Sequence, residues 1–312
     1  MLNPPLSLLP DELLDSIVEH VATAAKRSFK DQTLNNLSLA DRAFTQSCQK
    51  YIFRNFKVIK KNFSQDTQDV MIKLERAKKL LDDKPSIANQ VRMVQLAISR
   101  NECAWFFNDP TFISILQLLA KSPLPPHELH LSRCMYASPI AKDSDSIHLV
   151  RRLARSFFPQ TLTILHLSGC ESVPLHIFLI CPRLRIVSLN FVGAEMSYDE
   201  YPDNQCSGRE PPPLEELYYH DSHNLVKQMI TPPSRFNTPV VLWSSLRILT
   251  ATSEKEEMAC LQPILDAACN TLEELYLIDN LGASEIFNRL KQILTSFLIR
   301  PTTPACWTRE PQ

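Results

Sequence analysis

Leu162-Thr-Ile-Leu-His-Leu-Ser-Gly-Cys170 is the stretch whose reading decides the fold. Its first, fourth and sixth positions are apolar, and a cysteine stands three places beyond the last of them. The same spacing returns along the chain as Val91-x-x-Val94-x-Leu96, Leu184-x-x-Val187-x-Leu189, Leu214-x-x-Leu217-x-Tyr219, Leu246-x-x-Leu249-x-Ala251 and Leu272-x-x-Leu275-x-Leu277. Pro126-x-x-Leu129-x-Leu131 is a degenerate copy. Three residues beyond the last apolar position come Ser99, Cys134, Cys170, Val192, Ser222, Glu254 and Asn280.

In a strand, alternate side chains share a face, so the fourth and sixth positions of each unit point inward together. The first position enters the core from the preceding turn. An Asn or Cys three places on can satisfy backbone groups where the chain bends away. Cys134, Cys170 and Asn280 suit that task, Ser99 and Ser222 are weaker substitutes, and Val192 and Glu254 do not suit it. The whole is the leucine-rich repeat pattern. One unit cannot bury its own leucines, worth roughly 1.5–3 kcal/mol each. Stacked units share one continuous core.

Between these units lie segments of helical character: 66–82, 109–120, 144–158, 174–181, 222–230, 257–269 and 284–300. Strand, crossover helix and parallel strand connect right-handedly. The expected fold is therefore an α/β solenoid, with parallel strands on the concave face and helices outside. Starts at 162 and 184, and at 246 and 272, show the short period of such repeats. The others are spread by insertions, of which 194–213 is acidic and turn-rich, and 231–239 carries three prolines. Both are expected to be surface loops on one rim. The strand at 275–277 is expected to be the last, followed by a helix over 284–300 and an irregular tail over 301–312. The sheet would then end on an open edge.

Upstream of the repeats the periodicity is helical. In Leu6-Ser-Leu-Leu-Pro-Asp-Glu-Leu-Leu-Asp-Ser-Ile-Val-Glu-His-Val21, Leu14, Ile17, Val18 and Val21 fall on one face. Leu13 widens that face, and Leu9 and Leu6 extend it. Pro10 suits a first helical turn, and Asp11, Glu12 and Asp15 suit the positive end of the helix dipole. A surface so wide is often a docking surface. Residues 33–37 can form a short helix, and Ser38-Leu-Ala-Asp41 has the form of a capping box that would begin a third helix carrying Phe44, Cys48 and Ile52. The third helix runs into Phe53-x-x-Phe56-x-Val58, the expected first strand, without a linker.

Three blocks in order, Leu9-Pro-x-Glu-Leu-Leu-x-x-Ile17, Leu37-Ser-Leu-x-x-Arg-x-Phe44 and Cys48-Gln-x-Tyr-Ile-Phe53, resemble an F-box in the form common among fungal F-box proteins. The resemblance covers residues 5–56, with 57–300 as a leucine-rich-repeat-like domain and 301–312 as the tail. It implies a non-catalytic substrate receptor of an SCF-type ubiquitin ligase. The F-box would hold the Skp adaptor, and through it the cullin and RING subunits, and the repeats would hold a protein substrate. By position, Leu9, Pro10, Leu13, Leu14, Ile17 and Val21 match the family's adaptor-facing motif, with Leu37, Tyr51 and Ile52 as further candidates. A repeat scaffold that binds a partner without any ligase is the alternative.

Composition narrows the remaining classes. Hydrophobic residues make up 44% and charged residues 21%, ordinary for a globular chain. The net charge of −1 gives no general attraction to nucleic acid or an acidic membrane. Neither a signal peptide nor an apolar run of membrane-spanning length is visible, so a cytoplasmic or nuclear protein is expected. The nine cysteines contain no Cys-x-x-Cys pair, which fits reduced thiols. With four glycines there is no phosphate-binding loop, and there is no hydrolase elbow or His-Glu-x-x-His motif. No enzyme activity, cofactor or metal is expected. His127 and His130, and His220 and His223 around Asp221, lack the further ligands that zinc needs.

The residue between the two inward positions of each strand should face outward. That column reads Gln95, His130, His166, Ser188, Tyr218, Thr250 and Tyr276, flanked by Glu128, Ile164, Asn190, Glu216, His220, Glu274 and Ile278. Aromatic and polar groups on a rigid scaffold suit protein recognition. The column with His220 forms the candidate substrate surface, although a merely soluble strand face would carry a similar composition.

Overall fold

The computed structural model describes residues 9–24, 30–59, 67–99, 109–134, 159–170, 173–194, 210–233, 239–252 and 255–278. The expected helices over 144–158 and 284–300, the loop over 195–209, the tail and the final sheet edge lie outside the described residues.

Three helices come first: α1 (Asp11–Ala24), α2 (Lys30–Ala40) and α3 (Thr45–Ile52). Leu14, Val18, Ala22, Leu34, Phe44 and Cys48 form their small shared core. Two local expectations are revised. Pro10 precedes α1 rather than opening it, and its carbonyl accepts from the Leu13 and Leu14 N–H groups. Ser38 does not cap a helix. It lies in the last turn of α2 and donates to the Asn35 carbonyl at 2.7 Å. Asp41 is the cap instead. Its carboxylate accepts from the Ala43 N–H at 2.9 Å and starts a 3-10 turn that leads into α3.

The remainder is a mixed α/β layer. Its strands are β1 (Asn55–Ile59), β2 (Met93–Ser99), β3 (Glu128–Cys134), β4 (Ile164–Ser168), β5 (Ile186–Asn190), β6 (Glu216–His220), β7 (Ile248–Thr252) and β8 (Glu274–Ile278). All pairs are parallel and the spatial order is the chain order. Between them run α4 (Thr67–Asp83), α5 (Pro110–Ala120), α6 (His176–Ile180), α7 (His223–Ile230) and α8 (Lys255–Ala267). Asp109 caps α5 by accepting from the Phe112 N–H at 2.6 Å.

The repeat spacing sets the register. The fourth-position residues Val94, Leu129, Leu165, Val187, Leu217, Leu249 and Leu275 pair in sequence across the sheet. Through β7 they are buried, as are the sixth-position residues. They share one core with Phe112 and Ile115 of α5, Leu225 and Met229 of α7, and Leu261 and Ile264 of α8. At β8, Leu275 and Leu277 are only partly buried against that core.

The bend after each middle strand is built the same way. Gly169, Phe191 and Asp221, each one residue past its strand, all have positive φ (67°, 54° and 48°). The next residue is the Asn/Cys position. Cys170 donates its thiol to the Ser168 carbonyl at 3.7 Å, and Ser222 donates its hydroxyl to the His220 carbonyl at 2.8 Å. Val192 has no polar side chain, and its buried N–H donates to the Ser222 hydroxyl of the following unit at 3.0 Å. Ser222 thus performs the expected task for two units.

A second repeated bond joins the strand starts. The carbonyl of the second unit residue accepts two N–H groups from the next unit. Arg54 receives Arg92 and Met93, Arg92 receives His127 and Glu128, and the pattern continues to Arg247, which receives Glu273 and Glu274. Arg54 belongs to this series although it stands only two residues past α3. The helices and the sheet are therefore joined without a spacer.

Candidate functional site

Two surfaces carry side chains that the fold does not use. The first is on α1. Leu14 and Val18 face the helical core, but Leu13 is 52% exposed and Ile17 41% exposed. They are four residues apart and so lie one turn apart on the same side. An apolar pair held on a helix whose other side is buried is suited to dock a partner. Among the other candidates, Pro10 is exposed. Leu9, Val21, Leu37, Tyr51 and Ile52 are partly buried and pack against the helical core. Leu14 is 4% exposed and supports the surface from beneath rather than forming it. Leu39, part of the Leu37-Ser-Leu block but not among the adaptor-facing candidates, is 84% exposed at the end of α2. Its signal was an apolar residue on a helix turned away from Leu34.

The α1 surface is braced from α3. Lys50 donates to the Asp15 carboxylate at 2.7 Å, and Ser47 donates to its other oxygen. The Lys50 bond first, and then Ser47, hold the Asp15 carboxyl below the usual aspartate value.

The second surface is the face of the sheet opposite the core. Gln95, His130, His166, Ser188, Tyr218, Thr250 and Tyr276 pair one with the next along the register, so they form a single row. Lys57 of β1 begins this row beside Gln95, as the central residue of Phe53-x-x-Phe56-x-Val58, which carries the spacing of the repeat units. The row is half-buried over most of its length, and Tyr276 is 53% exposed at the far end, donating to Glu274. His220 is not in this row. It pairs with Asn190 in the next one and packs edge-on against Phe191, with ring centroids 4.8 Å apart.

Histidines gather at β3 and β4. His130 and His166 stack at 4.0 Å between centroids, tilted by 49°. Glu128, two residues before His130, meets its Nε2 at 2.5 Å. The hydrogen bond from His130 is the main reason that the Glu128 carboxyl sits below its usual range. Burial, and next the neighbouring His130, push the His166 pKa down. His127 does not join this group. Burial is likewise the main cause that lowers its pKa.

Beneath both surfaces, Cys48, Cys170, Cys181 and Cys260 are buried thiols outside any disulfide. Among the described residues no helix is long and apolar enough to cross a membrane.

No protein-family model and no curated protein matches this chain.

Proposed function

We propose that the chain is an F-box protein with a leucine-rich-repeat-like solenoid, the substrate-recognition subunit of an SCF-type ubiquitin ligase. The observation that carries this reading is the exposed Leu13–Ile17 pair on a helix otherwise committed to a core. Those positions match the F-box adaptor-facing motif, and their exposure leaves them available to a Skp adaptor. The sheet face supplies a second, independent surface for a protein substrate. Histidine and tyrosine there stand on strands ~4.8 Å apart, a rigid array that costs little conformational entropy on binding.

The receptor performs no chemistry in this reading. It raises the effective concentration of substrate lysines near a charged conjugating enzyme, which the adaptor and cullin position. Proximity of that kind benefits from a stiff connection between the two surfaces. The direct passage from α3 to β1, with Arg54 already bonded to Arg92 and Met93, supplies one.

Affinity purification of the full chain followed by mass spectrometry tests the proposal. Co-recovery of a Skp adaptor with cullin is the expected result. Recovery of other proteins without cullin would favour a binding scaffold that has no ligase role.

A further inference from the structure

We infer that Glu128, His130 and His166 form a binding site for a divalent transition metal of the zinc class. Glu128 and His130 lie on the same face of β3, and the β3–β4 register brings His166 beside His130. One ligand atom from each lies within 4.8 Å of the other two. The site needs nothing from the adaptor surface, but its two histidines belong to the sheet row proposed to hold substrate.

The donor set is chemically coherent. Two imidazoles and a carboxylate suit zinc, and three protein ligands leave a fourth tetrahedral position for water or an incoming group. Tetrahedral ligands at zinc distances lie ~3.3 Å apart. The Glu128 oxygen is 2.5 Å from His130 Nε2 and 3.9 Å from His166 Nε2. The first pair must open and the second close by less than ~1 Å, within the reach of small side-chain rotations. His130 would carry its proton on Nδ1 and give the Nε2 lone pair to the metal.

The surroundings also favour a cation. Across the register, Glu128 is flanked by the apolar Met93 and Ile164, and the positive groups acting on its carboxylate are His130, His166 and Arg54. Its hydrogen bond to His130 leaves His166 too distant from the same oxygen to bond it. One metal ion would engage all three groups. The site went unnoticed in the sequence because His130 and His166 meet only through strand pairing, whereas the local pair His127 and His130 does not share a face.

Cobalt(II) titration of the full reduced chain tests the site. Tetrahedral Co2+ with nitrogen and oxygen ligands absorbs in the visible, while thiolate ligands add a near-ultraviolet charge-transfer band. The expected result is visible absorption that saturates and that Zn2+ abolishes. The His130→Ala/His166→Ala variant should lose one equivalent of bound Co2+ and this absorption, with the near-ultraviolet band unchanged. Equal binding by wild type and variant, or no visible band in the wild type, would overturn the proposal. If the double variant fails to fold by circular dichroism, Glu128→Gln keeps the test decisive. It should weaken Co2+ binding by at least about tenfold, and unchanged affinity would overturn the site.

Discussion

Ile52 and Phe53 are covalent neighbours that pack into different cores, Ile52 against the helical unit and Phe53 against the sheet. Phe53 is both the cap residue that ends α3, donating to the Gln49 carbonyl, and the first apolar position of the first repeat unit. A single peptide bond thus divides the two parts of the molecule. The consequence is mechanical, because α3 cannot tilt without moving the start of β1. Inserting a flexible Gly-Ser segment between Ile52 and Phe53 should leave both cores folded. It should reduce substrate ubiquitination in a reconstituted ligase while adaptor affinity stays the same. Undiminished ubiquitination would mean that the rigid junction has no functional role.

Ser222 gives a sharper test of how the repeats hold together. Its buried hydroxyl donates to the His220 carbonyl and accepts from the Val192 N–H. Ser222→Ala leaves that N–H buried without a partner, which should cost about 1–3 kcal/mol. Val192→Asn would not restore it, since the missing acceptor belongs to the next unit. Urea denaturation measures the loss, and a change under about 0.5 kcal/mol would show that this bond is not structural.

Phe191 occupies a position where its neighbours in the series are Gly169 and Asp221, with φ of 54°. A β-branched residue is poorly accommodated there. Phe191→Val should therefore be less stable than Phe191→Gly by about 1–2 kcal/mol, even though glycine removes more apolar surface. Equal thermal midpoints for the two variants would contradict the assigned backbone.

Much of the sheet was legible in the sequence, because a fixed spacing of inward residues also fixes the register between strands. The fourth-position series from Val94 to Leu275 pairs as that spacing requires. Two features resisted. Ser38-Leu-Ala-Asp41 satisfies the capping pattern, but a serine hydroxyl can equally bond back within a helix, and Ser38 does so. Only the structure shows that the acid rather than the hydroxyl starts the turn. On α1, periodicity placed Leu13, Leu14 and Ile17 on one broad face. It could not divide that face into the buried Leu14 and the exposed Leu13 and Ile17, because the division depends on where α2 and α3 pack.

The brace at Asp15 should respond to pH. Its folded-state pKa lies below the ordinary 3.8, chiefly through the Lys50 hydrogen bond. A depressed folded pKa gives stability that is present above the unfolded value and is lost as pH falls through the folded value. Hydrogen exchange of the α1 amides should therefore be slower in the wild type than in Asp15→Asn above the ordinary aspartate pKa, with the gap closing as pH falls through the lowered folded-state value. The carboxylate is largely solvent-exposed, so the gap should be small. A gap that persists at the acid end would mean that the carboxylate charge is not its cause.

The sheet row should matter to substrate and not to folding. His166, Tyr218 and Tyr276 lie outside the core. The triple alanine variant should fold, retain the adaptor and recover fewer substrate proteins, since aromatic anchors commonly lose ~2 kcal/mol or more on truncation. Unchanged recovery would place substrate recognition elsewhere on the molecule.

The most direct test of the account is calorimetric titration of a Skp adaptor into the wild-type chain and into Leu13→Asp/Ile17→Asp. Both side chains are exposed, so the variant should keep the circular dichroism of the wild type. Docking would bury two unpaired carboxylates at a cost of several kcal/mol. The account predicts measurable binding by the wild type and none by the variant. Equal adaptor affinity in the two proteins, or none in the wild type, would contradict it.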